Sequence, residues 1–272
     1  MGEVSASEFS NCAAMLLCGG KGSRLAEQGV DVHKPLMPIL GKPSLFHVVD
    51  QLLAHEIAFT PILVVVPPER LQEYESALEG RDCKVVVQPA ALGTGDAVYQ
   101  AMEHLPDDYQ NLYVSFGTQP LVTDSSIMDS LVHHVSHKLG FTMPTTMTAN
   151  PYAPLLRDAD GKVSNSVETH LEGAEKPEVG EANVGAYWAS KKALQEILVP
   201  LCKEKWNPQA GKYDTSSGEL GYPNEMVRSC LANGVGVDGV VCSMPEEMIG
   251  LKRLEDIDKI EEVMLDRRTV SD

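Results

Sequence analysis

The chain has 272 residues, 43% of them apolar, which is enough for a buried core and excludes a disordered composition. Its 39 acidic and 22 basic residues leave a net charge of −17, which disfavours nucleic acid and anionic membrane surfaces as partners. A small phosphorylated substrate stays compatible with this charge, because local cations and backbone amides attract an anion at a single site.

Cysteine usage and the N-terminal sequence indicate a cytoplasmic protein. The six cysteines show no CxxC spacing and several lie in apolar runs, so we expect reduced thiols that pack as small hydrophobic groups. The N-terminus carries Glu3 and Glu8 rather than basic residues, and no apolar run approaches the roughly 18 residues of a membrane span. We therefore expect no membrane partner.

Strands and helices alternate along the first half of the chain. A polar segment over 1–11 is expected to be a flexible tail, and the apolar run after it predicts a strand over 12–17. Further strands are predicted over 61–66, 83–87 and 111–116, and helices over 44–56, 69–79 and 95–104. This order predicts right-handed βαβ units and an α/β fold with a doubly wound, mostly parallel sheet.

Beyond residue 140 the pattern becomes mixed. Strands are predicted over 141–148 and 186–189, with a turn at 158–161, and these segments fit a small mixed substrate lobe across the carboxyl edge of the sheet. An amphipathic helix is predicted over 253–265, with a polar tail over 266–272. We expect a single domain over 12–265. No internal repeat occurs, and in particular no hexapeptide β-helix repeat.

A glycine-rich loop follows the first strand and reads Gly19-Gly20-Lys21-Gly22-Ser23-Arg24. Glycine lets backbone amides approach a phosphate closely, and Lys21 and Arg24 add two cations. The pattern therefore predicts a site for the phosphates of a nucleotide. An ordinary strand-to-helix turn is the alternative, since a glycine cluster alone is a weak signal.

Three further motifs follow the loop in order. They are Lys34-Pro35-Leu36, Gly41-Lys42-Pro43 and the segment 88–97, which contains Leu92-Gly93-Thr94. With the loop, these motifs resemble the sugar-1-phosphate nucleotidyltransferase family, and within it the pyrophosphorylase domain of N-acetylglucosamine-1-phosphate uridyltransferases. The resemblance runs from about residue 12 to about residue 262. It implies a Rossmann-like nucleotidyltransferase fold that binds a nucleoside triphosphate, with UTP favoured over CTP.

The resemblance also implies roles for individual residues. Arg24 and Lys34 are expected to stabilise charge as pyrophosphate leaves, because fixed cations stabilise the charged transition state without reorganising. Gln88 is expected to read the pyrimidine edge together with the turn at 92–94, since its amide offers a donor and an acceptor. The alternatives are a solvated loop cation for Lys34 and a helix-capping side chain for Gln88. The implied nucleotide-binding residues are Leu17, Gly19, Gly20, Lys21, Gly22, Gln88, Gly93, Thr94 and Thr118.

Two later residues match the sugar-binding strands of the family. Glu168 and Asn183 are expected to bind hydroxyl or N-acetyl groups of the acceptor, because charged and amide groups hydrogen-bond well to a sugar. The alternative is that both are exposed strand residues. The family's Tyr-Gly-Arg loop reads Tyr152-Ala153-Pro154 here, and proline removes an amide donor, so that sugar contact is not expected.

Both positions that bind Mg²⁺ in the family have changed. Thr118 stands where an Asp is usual, and Lys252 stands where an Asn is usual. Magnesium is held by carboxylates together with substrate phosphates, so these residues should bind it poorly. The Lys252 ammonium is expected to supply part of the missing charge as a catalytic residue. One charge pair at about 4 Å and a dielectric near 20 amounts to about 4 kcal/mol as a gross Coulomb energy.

Two polar clusters outside these motifs have simpler interpretations. His133 and His137 lie on one helical face, which is the spacing of a zinc pair, but a solvated face is favoured because no third ligand is evident. The acidic residues over 255–262 are also interpreted as a solvated helix face.

The sequence therefore predicts an enzyme that transfers UMP or CMP from a nucleoside triphosphate to a phosphorylated small molecule, a sugar 1-phosphate, and releases pyrophosphate. The alternative is a catalytically silent homologue that binds a nucleotide or sugar nucleotide as a sensor or partner subunit. A third hypothesis is that Asp124 or Asp96 has taken over the metal. Without β-helix repeats, no acetyl-coenzyme A chemistry is expected.

Overall fold

The computed structural model describes residues 9, 11–20, 32–151, 153–167 and 177–271, with side chains up to residue 269. The strands of this part are β1 (Cys12–Leu17), β2 (Pro38–Ile39), β3 (Lys42–Pro43), β4 (Phe59–Val66), β5 (Lys84–Val87), β6 (Asn111–Phe116), β7 (Phe141–Ala149), β8 (Pro154–Arg157), β9 (Val163–Ser166), β10 (Val179–Asn183), β11 (Ala186–Ser190), β12 (Trp206–Asn207), β13 (Lys212–Tyr213) and β14 (Val237–Val241). The α-helices are α1 (Ser44–Ala54), α2 (Leu71–Ala77), α3 (Thr94–Ala101), α4 (Asp124–Ser136), α5 (Lys191–Ala193), α6 (Val199–Lys205), α7 (Pro223–Ala232) and α8 (Glu255–Ser271). A π-helical turn, Leu194–Leu198, joins α5 to α6.

One large sheet carries the fold. Its strand order is β5-β4-β1-β6-β11-β7-β10-β8-β9, with β14 beside β7. Strands β5, β4, β1 and β6 are mutually parallel, whereas β11 runs antiparallel to both β6 and β7. The predicted α/β fold is confirmed. The strands expected in a lobe across the carboxyl edge, over 141–148 and 186–189, instead continue the same sheet as β7 and β11.

Continuous apolar strands form because helices cover both faces of the sheet. Along β1, Met15 and Leu17 pack on one face with α3, α6 and α7, and Leu16 packs on the other face with α1, α2 and α4. All six residues of β1 are buried. The central strand is thus fixed from both sides, and the loop that follows it starts from a rigid point.

The cysteines pack as the sequence predicts. In the described part all six are free thiols, and Cys12, Cys18, Cys202 and Cys230 are buried. Burial raises the pKa of each of these four thiols to about 12, so they are protonated and inert at neutral pH.

Some boundaries differ from the predicted ones. The helix expected over 69–79 begins as a 3₁₀ turn, Pro68–Arg70, before α2. Helix α8 begins at Glu255 and extends to Ser271, so the segment predicted as a polar tail is helical instead. The turn at 158–161 is confirmed, because the Asp158 carboxylate accepts hydrogen bonds from the backbone N–H of Asp160 and Lys162. No helix of the described residues is long and apolar enough to cross a membrane.

Candidate functional site

A cavity of about 190 Å³ opens at the carboxyl edge of the parallel strands. It lies at the ends of β1 and β6, where the strand order reverses, because β4 and β5 lie on one side of β1 and β6 on the other. Open α/β sheets bind ligands at such a reversal. We call this space the edge cavity. It is lined by Leu17, Cys18, Gly19, Gly20, His33, Lys34, Pro35, Phe116, Thr118, Leu251 and Lys252.

The edge cavity brings Thr118 and Lys252 together. The backbone N–H of Leu251 donates a 2.8 Å hydrogen bond to the Thr118 carbonyl oxygen. Gly250 packs so closely that an added Cβ would lie 2.2 Å from Gln119 Oε1. The Gln119 amide in turn donates to the carbonyl oxygens of Val184 and Glu247, each at 2.8 Å. The segment that carries Lys252 is therefore fixed against the end of β6.

Lys34 comes from a different part of the sequence. It lies at the start of the 3₁₀ turn Lys34–Leu36, which buried Pro35 helps to fix. Its side chain is half-buried and lines the edge cavity, as does exposed Lys252. Two cations predicted from separate motifs thus share one cavity with Gly19 and Gly20. A site that collects cations beside a glycine loop suits an anion.

His33 is a lining residue that the sequence interpretation missed. Its Nε2 contacts the Gly20 carbonyl oxygen at 3.1 Å, and its Nδ1 contacts the Tyr74 hydroxyl at 2.6 Å. Burial, the largest cause, lowers the pKa of His33, so a neutral ring donates to Gly20 and accepts from Tyr74. His33 therefore holds the start of the glycine loop. Its position directly before the Lys-Pro motif was the available signal.

The described residues of the edge cavity do not fit a magnesium site. None of its lining residues is a carboxylate, and nowhere in the described part do three or more His, Cys, Asp or Glu residues form a group that could hold a metal ion. Asp124 and Asp96, the alternative ligands, lie outside the lining. Asp124 accepts a hydrogen bond from Gln51, and buried Asp96 accepts hydrogen bonds from three side chains.

Gln88 lies beside the glycine loop. Its amide nitrogen donates to the Gly93 carbonyl oxygen at 3.0 Å and to Asp96 Oδ2 at 2.8 Å. Its Oε1 lies 3.1 Å from the point that a Cβ on Gly19 would occupy. The nitrogen binds the first turn of α3 as a donor and so does not cap the free N–H groups of that helix, whereas the oxygen faces Gly19.

The segment 220–222 packs against the turn 92–94 and forms hydrogen bonds with it. Leu220 exchanges backbone hydrogen bonds with Leu92 and Gly95 at 2.7 and 2.8 Å. The Thr94 hydroxyl accepts a 2.9 Å hydrogen bond from the Tyr222 N–H. The Thr94 side chain therefore holds the turn in place.

The predicted acceptor residues are less closely tied to the cavity. Asn183 lies at the end of β10, where its Oδ1 accepts hydrogen bonds from the Gly185 N–H and the Tyr187 hydroxyl. It is half-buried and outside the lining of the edge cavity. The predicted residues Lys21, Gly22, Arg24 and Glu168, together with Tyr152, lie outside the described residues.

Both clusters interpreted as solvated faces include residues with structural contacts, so those interpretations were wrong in part. His133 contacts Asp238 at 2.8 Å, while His137 is exposed. In the acidic cluster, Asp256 accepts hydrogen bonds from the backbone N–H of Lys252 and Arg253, and Glu261 accepts one from Leu40. Such contacts between distant segments leave no periodic signal in sequence.

Sequence relatives extend along nearly the whole chain. The bifunctional protein GlmU of Geobacillus thermodenitrificans is 28% identical over 256 residues, covering 93% of this chain and 52% of that protein. The GlmU protein of Exiguobacterium sibiricum is 30% identical over 243 residues, covering 89% of this chain and 50% of that protein. The chain thus spans about half the length of the curated relatives that it matches.

Solved structures show the same fold. A protein of Bacillus anthracis assigned as a glucose-1-phosphate thymidylyltransferase superimposes with a TM-score of 0.70 at 18% identity, covering 93% of this chain and 94% of that chain. The 4-diphosphocytidyl-2C-methyl-D-erythritol synthase of Anaerococcus prevotii superimposes with a TM-score of 0.64 at 11% identity, covering 94% of this chain and 99% of that chain.

A family model also matches the sequence directly. The MobA-like NTP transferase domain model matches residues 14–173, which is more than half of the 272 residues. That segment contains most of β1, the glycine-rich loop, Lys34, Gln88 and Thr118. The protein therefore belongs to the family of MobA-like NTP transferase domains, and its predicted resemblance to the sugar-1-phosphate nucleotidyltransferases is confirmed.

Proposed function

We propose that this protein transfers UMP from UTP to a phosphorylated small molecule, most simply a sugar 1-phosphate, and releases pyrophosphate. The observation that carries the proposal is the edge cavity, where Gly19, Gly20, Lys34 and Lys252 meet at the carboxyl edge of the sheet. Membership of a nucleotidyltransferase family supports the reaction class. The name of one similar solved structure, a glucose-1-phosphate thymidylyltransferase, supports a sugar phosphate as the acceptor.

In the proposed reaction a phosphate oxygen of the acceptor attacks the α-phosphorus of UTP in line. The new P–O bond forms as the bond to the β-phosphate oxygen breaks, and pyrophosphate leaves with the negative charge. Lys34 and Lys252 stabilise that charge, with Arg24 as a third cation from outside the described residues. Preorganised cations stabilise such a transition state better than water does, because they need not reorient as the charge develops.

In this reaction Lys252 supplies part of the positive charge that a metal ion would otherwise supply. The lining offers Thr118 and a lysine where relatives are expected to offer metal ligands, and no described lining residue is a carboxylate. The ammonium supplies one positive charge, worth about 4 kcal/mol in gross Coulomb energy at about 4 Å and a dielectric near 20. That is similar to the several kcal/mol that a Lewis-acid metal contributes.

The same two residues favour a second candidate, a silent homologue that binds a nucleotide without turnover. A lysine contributes charge but lacks the Lewis acidity that a metal ion would supply, so binding can persist after catalysis is lost. In that case the cavity serves a sensor or a partner subunit.

One experiment separates the two candidates. Pyrophosphate release from UTP and a panel of sugar 1-phosphates, including N-acetylglucosamine 1-phosphate, is measured with and without magnesium. The unaltered chain is compared with Thr118→Asp/Lys252→Asn, which introduces a carboxylate, and with Thr118→Asn/Lys252→Asn, which removes the lysine without one. UTP binding is measured in parallel by calorimetry.

Turnover by the unaltered chain without metal, lost in both double variants, supports the enzyme. UTP binding without turnover, combined with magnesium-dependent turnover in Thr118→Asp/Lys252→Asn alone, supports the silent homologue. A chain that neither binds UTP nor releases pyrophosphate with any substrate contradicts both candidates.

A further inference from the structure

The Gln88 side chain is held in one orientation. Its amide nitrogen lies 3.0 Å from the Gly93 carbonyl oxygen and 2.8 Å from Asp96 Oδ2. A backbone carbonyl only accepts hydrogen bonds, and so does an ionised carboxylate. The group between them must therefore be the NH₂, and both of its protons are used.

The oxygen of the same amide faces the other way. Gln88 is only 6% exposed, and its Oε1 lies 3.1 Å from the point that a Cβ on Gly19 would occupy. Among the described residues, no group donates a hydrogen bond to this oxygen. The side chain thus offers an acceptor, and no donor, next to the start of the glycine loop.

Asp96 is itself fixed by donors from distant segments. It is 1% exposed, and its Oδ1 accepts hydrogen bonds from the Tyr213 hydroxyl at 2.8 Å and from the Gln100 amide at 3.2 Å. Its Oδ2 is left to Gln88. A buried carboxylate satisfied in this way is costly to reorient, because any donor turned away from it loses its partner inside the protein.

We infer that Asp96 is a positioning residue that sets base selection by keeping Gln88 Oε1 turned toward the nucleotide. The inference rests on the proposed function and on the expected position of Gln88 at the nucleotide base. An acceptor-only side chain selects a base that carries a ring N–H, as the imide of uracil or thymine does. Cytosine has an unprotonated ring nitrogen at the same position and would meet the Gln88 oxygen with a second acceptor.

The backbone of Gly93 offers a donor that fits the same edge of the base. Among the described residues the Gly93 N–H has no hydrogen-bond partner, so it remains available to a carbonyl oxygen of the base. An N–H donor from Gly93 and an acceptor from Gln88 complement the adjacent carbonyl and N–H groups of an imide. Cytosine and adenine lack this pair of groups, whereas uracil, thymine and guanine carry it. Within the proposed function the substrate class is a uridine or thymidine nucleotide.

The test measures binding rather than turnover, so it also applies if the protein is catalytically inactive. Calorimetry with UTP, CTP, N3-methyl-UTP and inorganic triphosphate is carried out on the unaltered chain and on Asp96→Ala. Asp124→Ala is the matched control, because the Gln51 amide nitrogen likewise donates to an aspartate, Asp124, and to a carbonyl oxygen, that of Val122, away from the cavity.

The unaltered chain is expected to bind UTP roughly tenfold more tightly than CTP or N3-methyl-UTP, the ratio that one hydrogen bond supplies. Asp96→Ala is expected to reduce that ratio to roughly threefold or less and to leave the affinity for inorganic triphosphate unchanged. Asp124→Ala is expected to keep the ratio.

Three outcomes overturn the inference. They are an unchanged UTP-to-CTP ratio in Asp96→Ala, an equal loss of all ligands including inorganic triphosphate, and N3-methyl-UTP binding to the unaltered chain as tightly as UTP. The last outcome requires no variant, so the inference stays testable if Asp96→Ala does not fold. If the chain binds all three nucleotides no more tightly than inorganic triphosphate, the result contradicts the proposed function rather than the role of Asp96.

Discussion

The carbonyl oxygen of Thr118 accepts a 2.8 Å hydrogen bond from the backbone N–H of Leu251. These residues lie 133 positions apart in sequence. The bond sets Lys252 beside Thr118 on one wall of the edge cavity. The two residues at which the sequence departs from the family resemblance are therefore neighbours in space, and we expect them to act together.

The first prediction concerns the charge of Lys252. Replacing Lys252 with Ala is expected to lower metal-free pyrophosphate release at least roughly tenfold, because even a screened share of the Coulomb energy exceeds the 1.4 kcal/mol that a tenfold rate change requires. Initial rates with UTP and the best acceptor measure this. Lys259→Ala, an exposed lysine on α8, is the control and should keep its rate. Equal rates in the two variants would exclude a role for Lys252.

The second prediction concerns Gly93, whose φ is +100°. An added Cβ would lie 2.3 Å from the Leu220 carbonyl oxygen, so the turn must move in Gly93→Ala. We expect at least a roughly tenfold loss of UTP affinity by calorimetry, since the displaced N–H no longer reaches the base. Gly80→Ala is the control, because Gly80 has a φ of +80° but no atom within 4 Å of its added Cβ. It should cost about 1 kcal/mol of stability and no affinity.

The third prediction concerns Glu247, which is 1% exposed. Its carboxylate accepts hydrogen bonds from the Thr123 N–H, the Met244 N–H and the Ser126 hydroxyl. Glu247→Ala leaves these donors without their acceptor, so we expect the free energy of unfolding to fall by about 3 kcal/mol.

Urea denaturation measures this loss, and Glu246→Ala is its control. Glu246 pairs with Arg267 at 3.7 Å on a partly exposed surface, so its removal should change stability by about 0.5 kcal/mol or less. A small effect of Glu247→Ala would show that water replaces the carboxylate without cost.

The fourth prediction concerns acid stability through His134. Burial, the largest cause, together with the charge of His133, lowers the pKa of His134 from 6.5 to about 3. Between these values the unfolded chain binds a proton that the folded chain does not, so the free energy of unfolding falls as the pH falls. The slope from this one residue is about 1.4 kcal/mol per pH unit.

Denaturation between pH 6.5 and pH 4 tests this slope. His134→Asn should make the stability curve shallower by roughly that amount, because asparagine does not titrate and retains a polar group for the Thr142 hydroxyl, which lies 2.8 Å from His134 Nδ1. His137→Asn, at an exposed position, should leave the curve unchanged. Parallel curves for the two variants would assign the acid sensitivity elsewhere.

The parallel half of the fold was predictable because its strands are continuous apolar runs. The run at 12–17 became β1 with the same bounds, and that at 111–116 became β6. Such runs depend only on local sequence and on burial between two helical layers. The end of α8 was not predictable, because the residues after 265 are mostly polar and carry no periodic signal.

The candidate site was predictable where a motif carries it and not where distant contacts do. Lys34, Thr118 and Lys252 came from motifs, and the structure brings them into one cavity. The roles of Gln119 and Asp96 could not be inferred, because their partners lie far away. Gln119 contacts the Glu247 carbonyl oxygen, and Asp96 contacts Tyr213, 117 residues further along the chain.

The closure of the turn 92–94 by Leu220 and Tyr222 has a consequence for protein engineering. Hydrogen bonds connect the turn and Asp96 to the strand that carries Tyr213 and to the residues after it. These parts come from two separate stretches of sequence. Grafting residues 88–97 alone into a relative would transfer the motif without the clamp over 213–222 that shapes it. A chimera that exchanges both stretches together is the smallest transplant that we expect to carry over the proposed nucleotide preference.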